Sequence, residues 1–207
     1  MKTNKTKKYI LIGACVILAL LVLLSVIALA LSKIADKTKE IPELDYDFYN
    51  PDYKLDINDY PDYLELDREL HYTNEMRMQK AVTKNNCNEQ GRDAVFFYNY
   101  IKAIKDGDHK AYNSMLHEEY TEVHGKKDKF TKQMIYNIEL EWLGRTEVDS
   151  STDAVTYSLE YCIYRNDGTF RRDIGDGSRK QFITVFYDLS TGEGKIHSLK
   201  NEYTVVK

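Results

Sequence analysis

Residues 155–163 have the sequence Val-Thr-Tyr-Ser-Leu-Glu-Tyr-Cys-Ile, in which large apolar or aromatic side chains alternate with smaller or polar ones. An alternation with a period of two residues predicts a β-strand with one covered face. The tripeptide Asn166-Asp167-Gly168 follows shortly afterwards and favours a tight turn. This segment therefore predicts that the surrounding domain is built on a β-sheet.

Three further strands are predicted around this one. Each is an alternation, or a run of bulky side chains, that is bounded by glycine or other turn residues. They are 138–142, 182–189 and 196–199. Because turn residues at Gly144, Asn166-Asp167-Gly168 and Thr191-Gly192-Glu193-Gly194 separate successive strands, we expect a four-stranded antiparallel sheet.

Helices are predicted on the N-terminal side of these strands. The clearest one extends from Glu89 to Asp106, with five apolar side chains at helical spacing. They are Ala94, Phe97, Tyr100, Ile101 and Ile104. Gly107 ends this helix, and Asp108 is a candidate N-cap for a second, short helix. A third short helix is predicted at 130–136. The expected fold is an α+β domain with two or three helices packed on the sheet.

A long apolar segment near the N-terminus predicts a transmembrane helix. Residues 9–31 contain no charged side chain and, as a helix, extend roughly 35 Å, enough to cross a hydrocarbon core of roughly 30 Å. Four lysines lie in residues 1–8, which favours a basic cytoplasmic tail. The chain is therefore predicted to be a single-pass cell-membrane protein, with its N-terminus inside and an extracytoplasmic domain.

Two other interpretations of this apolar segment stay open. Ala28-Leu29-Ala30 offers a cleavage site for a signal peptide, although the apolar part of such peptides is typically about 7–15 residues long. Ile12-Gly13-Ala14-Cys15 loosely resembles a lipoprotein signal, but most of the apolar run follows Cys15. The length of the run favours an uncleaved anchor.

The segment between the predicted span and the domain, 32–86, is rich in acidic side chains and tyrosine. From Asp36 to Glu69 it has a net charge of −8, whereas the whole chain has −4. All three prolines also lie there. Charge repulsion and proline predict an extended stalk in front of the domain, 87–207. The stalk either spaces the domain from the membrane or offers a recognition strip to a basic partner.

The order of helices and strands resembles the nuclear transport factor 2-like, or ketosteroid-isomerase-like, superfamily. Val95-Phe96-Phe97-Tyr98 through Ala103-Ile104-Lys105-Asp106-Gly107-Asp108 is similar to the first helix of that family and its Gly-Asp break. Tyr164-Arg165-Asn166-Asp167-Gly168-Thr169-Phe170 is similar to a hairpin of bacterial surface-anchored members without an assigned reaction. The resemblance covers residues 88–200 and implies a cystatin-like cone, in which a curved four-stranded sheet wraps the first helix.

The resemblance also implies a pocket inside the cone, but it assigns no catalytic residue to this chain. Four side chains on the predicted strands are candidates for lining that pocket. They are Trp142, Tyr157, Tyr161 and His197. The alternative is that they are ordinary core residues. The sequence has no glycine-rich phosphate loop, zinc-ligand spacing or nucleophile elbow, so no catalytic, metal or cofactor site is predicted. Its acidic balance argues against nucleic-acid binding.

Two pairs of residues suggest further chemistry. His117 and His124 lie seven residues apart among glutamates, which would place them on one face of a helix. This is not the His-Glu-x-x-His spacing of zinc sites, so a solvated polar face is the simpler interpretation. Cys87 and Cys162 either form a disulfide in an oxidising exterior or remain two thiols.

Three functions are compatible with this sequence. The first is a membrane-anchored binding or accessory module, with a small hydrophobic ligand in the cone or a protein partner on the sheet. The second is a structural subunit of a membrane secretion or conjugation complex, because scaffold proteins of type IV secretion share the plan of tail, span and external domain. The third is an isomerase- or dehydratase-like enzyme that uses the cone pocket. We expect the first, because no catalytic machinery is identifiable.

Overall fold

A computed structural model gives the fold of residues 46–175 and 177–202. They belong to the second of two compact units, Leu44–Lys207. Short 3-10 turns at Ile57–Asp59 and Cys87–Gln90 accompany the regular elements. These elements are α1 (Pro61–Leu64), β1 (Leu70–Thr73), β2 (Gln79–Val82), α2 (Arg92–Asp106), α3 (His109–Ser114), α4 (Glu118–His124), β3 (Met134–Asp149), β4 (Thr152–Tyr164), β5 (Gln181–Asp188) and β6 (Gly194–Asn201).

The strands form one mixed sheet in the order β2-β1-β3-β4-β5-β6. Neighbouring strands are antiparallel except β1 and β3, which are parallel, with Leu70 opposite Ile138. The β3–β4 pairing is the longest, and its register shifts after Tyr136, Trp142 and Glu147. Because such bulges bend a strand and increase its twist, the long strands of the sheet are not straight.

The apolar face of α2 packs onto the sheet. Its five predicted core residues are all buried, which confirms the face derived from helical spacing. The inward side chains of β4, at alternate positions from Val155 to Ile163, are buried as well. Aromatic rings meet edge to face between the two elements, with the centroids of Phe97 and Tyr157 4.7 Å apart. The core is therefore built largely from aromatic side chains, which bury a large apolar area each.

The ends of α2 and α3 follow the sequence signals. Gly107 ends α2 in the left-handed conformation, with φ of 66°, and its N–H bonds to the carbonyl oxygen of Ile104. Asp108 then caps α3, because its carboxylate accepts hydrogen bonds from the backbone N–H groups of Lys110 and Ala111. Both predicted signals are confirmed.

The prediction of a four-stranded antiparallel sheet is wrong, because the sheet has six strands and is mixed. The additional strands, β1 and β2, lie inside the segment predicted to be stalk. Each has four residues, and only Leu70 and Tyr72 of β1 show a buried alternation, which is too short to stand out among acidic neighbours. The helix predicted at 130–136 is also wrong. Phe130 is buried in an irregular connection, and β3 begins at Met134.

Part of the tyrosine-rich segment lies on the surface of the domain. The guanidinium of Arg165 stands over the rings of Tyr49 and Tyr60, at 4.4 and 5.3 Å from their centroids. The ring of Phe48 packs against Gly168, where an added Cβ would lie 3.0 Å from it. Cation–π and ring contacts thus hold this part of the segment at the turn after β4.

Within residues 46–175 and 177–202, no helix is long and apolar enough to cross a membrane. The predicted tail at 1–8 and the predicted span at 9–31 lie outside the described residues, as does the beginning of the predicted stalk. The membrane anchor therefore stays a prediction from the sequence.

Cys87 and Cys162 are free thiols, so the disulfide considered from the sequence is not formed. Cys87 belongs to the buried core beside α2. Cys162 alternates with Tyr161 and Ile163, whose side chains are in that core, so its own side chain lies on the opposite face of β4. The sheet itself separates the two sulfur atoms.

Gly107→Ala should destabilise the domain more than Gly192→Ala. Both glycines have positive φ, so alanine at either position costs about 1 kcal/mol of backbone strain. At Gly192 an added Cβ meets nothing within 4 Å, whereas at Gly107 it would lie 2.9 Å from the backbone of Lys132. We expect a total loss of about 3 kcal/mol for Gly107→Ala, because the backbone must shift. Thermal unfolding of the full-length protein in mild detergent measures the difference, and equal losses would contradict it.

Candidate functional site

A cavity of about 420 Å³ opens beside the loop between β4 and β5. Aromatic and basic side chains from several elements line it, including Tyr100 of α2. The lining residues are Tyr100, Tyr112, Tyr120, Lys127, Gly168, Thr169, Phe170, Arg171, Arg172, Asp173, Gln181, Leu199 and Asn201. We call this cavity the arginine–tyrosine pocket.

Arg171 is the central polar residue of the arginine–tyrosine pocket. It is only 4% exposed, which is unusual for a residue that is always charged. Its Nε and Nη2 atoms donate to the two carboxylate oxygens of Asp173, at 2.7 and 2.6 Å. This two-bond geometry fixes the plane of the guanidinium. The third nitrogen, Nη1, is left for another partner.

The side chain of Asn166 holds the loop that carries Arg171. The amide nitrogen of Asn166 donates to the backbone oxygens of Arg171 and Ile174, at 3.0 and 2.7 Å. Ile174 is buried and fastens the same loop to the core. These hydrogen bonds pair the backbone oxygens of the loop with the buried amide of Asn166. The position of Arg171 is therefore fixed.

The arginine–tyrosine pocket has an excess of positive charge. Of the described residues, Lys127, Arg171 and Arg172 line it, against one carboxylate, that of Asp173. Burial acts to raise the pKa of Asp173, but the hydrogen bonds and the charge of Arg171 outweigh burial and lower it. Asp173 is thus ionised at neutral pH. Burial lowers the pKa of Lys127, whose amine also donates to the backbone oxygen of Phe170 at 2.6 Å. The local excess of cations contrasts with a chain whose net charge is −4.

Four buried polar atoms in this region have no well-directed hydrogen bond to any described residue. They are the hydroxyls of Tyr100 and Tyr161, Nη1 of Arg171 and Oε1 of Gln181. The guanidinium carbon of Arg171 lies 5.3 Å from the centroid of the Tyr161 ring, so these groups are neighbours. Buried polar groups in proteins are nearly always paired, and an unpaired one costs about 1–3 kcal/mol. Tyr161 interacts with Arg171, and Tyr100 interacts with Tyr112, but the geometry of both contacts is poor. The four atoms are therefore only loosely paired within the described residues.

The two hydroxyls are hydrogen-bond donors at neutral pH. Burial, together with the neighbouring Tyr112, raises the pKa of Tyr100 well above its ordinary value. Burial also raises the pKa of Tyr161, although the positive charge of Arg171 opposes the effect. Because both phenols keep their protons, they can donate to an anionic or carbonyl oxygen.

Of the four candidate pocket residues from the sequence, Trp142 and Tyr157 are opposite each other on β3 and β4, whereas Tyr161 and His197 have other surroundings. Tyr161 lies under the arginine–tyrosine pocket, as its contact with Arg171 shows. Tyr157 fills the core and donates to the hydroxyl of Tyr187 at 3.4 Å. Trp142 lines a different cavity, beside β1 and the start of α2, and His197 stacks on the ring of Phe186. The four side chains do not line one common cavity among those described, so their joint pocket stays a prediction.

Arg171 and Tyr100 were missed as site residues. From the sequence, Tyr100 is one of several apolar positions on a helix, and Arg171 is part of a basic loop that looks mobile. A weak signal was available, because Arg171 precedes Asp173 by two residues, and this spacing allows a local ion pair. Nothing in the local sequence shows that the pair is buried.

Tyr161→Phe should leave the stability unchanged or raise it by about 1 kcal/mol, because it removes a buried hydroxyl that has no well-directed hydrogen bond to a described residue and only a loose contact with Arg171. Tyr63→Phe is the matched control. The Tyr63 hydroxyl is buried and donates to the backbone oxygen of Ile135 at 3.0 Å, so its removal should cost about 1 kcal/mol. Thermal unfolding should show the control melting about 2–4 °C lower. A similar fall for Tyr161→Phe would mean that its hydroxyl is already paired.

Comparisons with family models, with curated proteins and with solved structures find no match to this chain. The resemblance to the nuclear transport factor 2-like superfamily stays a prediction, carried by the sequence at 95–108 and by the turn after β4. The functional argument therefore rests on the geometry and charge of the arginine–tyrosine pocket.

Proposed function

We propose that this protein is a membrane-anchored, extracytoplasmic binding module, and that its arginine–tyrosine pocket takes a small organic anion. The observation that carries the proposal is the group of four buried polar atoms beside the pocket that make no well-directed hydrogen bond to a described residue. The hydroxyls of Tyr161 and Tyr100 have only loose contacts, with Arg171 and Tyr112. Three of them are donors, on Tyr100, Tyr161 and Arg171. A bound oxygen anion would pair with these donors and offset their desolvation.

The lining of the arginine–tyrosine pocket defines the class of ligand. The excess of cations favours a carboxylate or phosphate group, and a guanidinium nitrogen beside phenol donors suits the oxygen atoms of either. The rings of Tyr112 and Phe170 stand 5.5 Å apart and give the same pocket an apolar wall. Its volume lies in the lower part of the range of roughly 300–1,000 Å³ that is usual for small-molecule sites. A ligand with one acidic group and a short apolar or aromatic body fits this lining.

The predicted transmembrane helix gives the proposed location of the binding module, at the outer side of the membrane. Residues 9–31 are predicted to cross the membrane, and the acidic segment that follows leads to the first described residues at 46–60. These residues contact the turn between β4 and the pocket loop, through Arg165 and Gly168.

Binding is better supported than catalysis by the same residues. An isomerase of the cone type needs a base in reach of its substrate. Among residues 46–175 and 177–202, Asp173 is the one carboxylate that lines the arginine–tyrosine pocket, and both of its oxygens accept hydrogen bonds from Arg171. A carboxylate held in this way is a poor base. The phenols keep their protons, so they too act as donors at neutral pH.

A matched pair of probes tests the proposal. Calorimetric titration of the full-length protein in mild detergent with 3-phenylpropionate should give saturable binding. The neutral 3-phenylpropionamide should bind at least about tenfold more weakly, because it lacks the charge that Arg171 and the phenols recognise. Tyr161→Phe should weaken binding of the acid about tenfold through the loss of one charge-assisted hydrogen bond.

Two results would contradict the proposal. Equal binding of the acid and the amide would mean that the pocket does not recognise charge. An unchanged affinity in Tyr161→Phe would mean that the Tyr161 hydroxyl does not meet the ligand. Tyr63→Phe serves as the control, because this tyrosine bonds to Ile135 and does not line the arginine–tyrosine pocket. Its affinity for the acid should equal that of the wild type.

A further inference from the structure

A second group of polar side chains lies away from the arginine–tyrosine pocket. His117, Glu119 and His197 each place one potential ligand atom within 4.8 Å of the other two. The two imidazole rings are 5.6 Å apart, and Nδ1 of His197 is 3.4 Å from a carboxylate oxygen of Glu119. This group, the histidine cluster, joins residues that are far apart in the chain.

Backbone pairing fixes the two histidines beside each other. The N–H of His117 donates to the carbonyl oxygen of Ile196 at 2.8 Å, and the N–H of Ile196 donates to the carbonyl oxygen of Met115 at 2.7 Å. His197 is also the extra residue of a bulge in β6, because the register against β5 shifts between Thr184 and Val185. Bulges commonly direct a side chain to a site, so the position of His197 is set by the fold.

An aromatic wall orients the two imidazoles. The ring of Phe186 stacks on His197, with centroids 3.9 Å apart and an angle of 8° between the planes. The same ring meets His117 edge to face at 5.7 Å. Rings that are held from one side lose little freedom when they bind a ligand, which favours binding.

The imidazole nitrogens of the histidine cluster make few hydrogen bonds within the described part of the protein. Nδ1 of His197 is buried and has no well-directed hydrogen bond to a described residue. Nδ1 of His117 accepts only a long hydrogen bond, 3.4 Å, from the backbone N–H of Glu119. A metal ion that binds to either nitrogen would therefore replace at most one long hydrogen bond. Lys195, on the same strand, donates to the backbone oxygen of Ser114 at 2.7 Å.

We propose that His117, Glu119 and His197 form a binding site for one divalent transition-metal ion of the zinc type. Two neutral imidazoles and one carboxylate are a ligand set that zinc accepts, with a fourth position left for water. The side chain of Glu119 is 67% exposed, so it can rotate to shorten the present separations to the roughly 3.5 Å between ligand atoms around zinc. A bound ion would tie α4 to β6.

The sequence pattern suggested a different pair of histidines. His124 does not belong to the histidine cluster, and its ring lies over that of Tyr120, with centroids 4.6 Å apart. It stands on α4, the same helix as Glu119, and is exposed. His124 is therefore a matched control for any effect of removing a histidine from this region.

The test is titration of the full-length protein with zinc after treatment with a chelator, using a purification tag without histidine. The wild type should bind one ion per chain, and its melting temperature should rise with zinc. His117→Gln, His197→Gln and Glu119→Gln should each lower the affinity at least about tenfold, since each removes one of three ligands. His124→Gln should bind like the wild type.

Several outcomes would overturn the proposal. Absence of saturable binding in the wild type would do so, as would an affinity loss in His124→Gln equal to that of His117→Gln. Because Glu119 is exposed, Glu119→Gln separates loss of a ligand from loss of folding, and an unchanged affinity in this variant also counts against the site. Cobalt substitution provides a second readout, because tetrahedral coordination gives visible absorption bands that are much more intense than the weak bands of octahedral aqueous cobalt. These results do not depend on the arginine–tyrosine pocket.

Discussion

The rest of the structure depends on the burial of α2 against a sheet face that is rich in tyrosine. Each ring contributes a large apolar area, but each also brings a hydroxyl that must find a partner in the core. Tyr157 and Tyr187 satisfy this requirement with each other, and Tyr63 uses a backbone oxygen. Tyr100 and Tyr161 satisfy it poorly within the described residues, because their contacts with Tyr112 and Arg171 are not well directed. The constraint that shapes the core therefore also marks where a ligand can add hydrogen bonds.

The elements that could be predicted from the sequence are those with many residues in one period. The buried face of α2 and the alternation of β4 are both of this kind, and both are confirmed. The strands β1 and β2 have four residues each, and β1 enters the sheet by parallel pairing with β3, far away in the chain. Local periodicity holds no information on such a pairing, and acidic neighbours hide the short apolar alternation.

The site was less predictable than the fold for a related reason. Strand alternation places Tyr157 and Tyr161 on the same face, but it does not say which of them lies under the loop between β4 and β5. That depends on Arg171, whose burial requires Asp173 as an ion-pair partner and Asn166 as a support for the loop. Arginine is ordinarily a surface residue, so a burial that rests on tertiary contacts is not visible in the sequence.

The strand β6 links the two sites. It lies at the edge of the sheet, where free backbone groups invite pairing with other chains. The N–H of His117 donates to Ile196, and the N–H of Ile196 donates to Met115, so the segment 115–117 covers part of this edge. The histidine cluster lies where this segment meets the strand. Further along β6, Leu199 lines the arginine–tyrosine pocket. A metal ion in the histidine cluster would hold the segment 115–119 against β6. Because Leu199 lies on the same strand, the ion would also restrict the motion of one wall of the pocket.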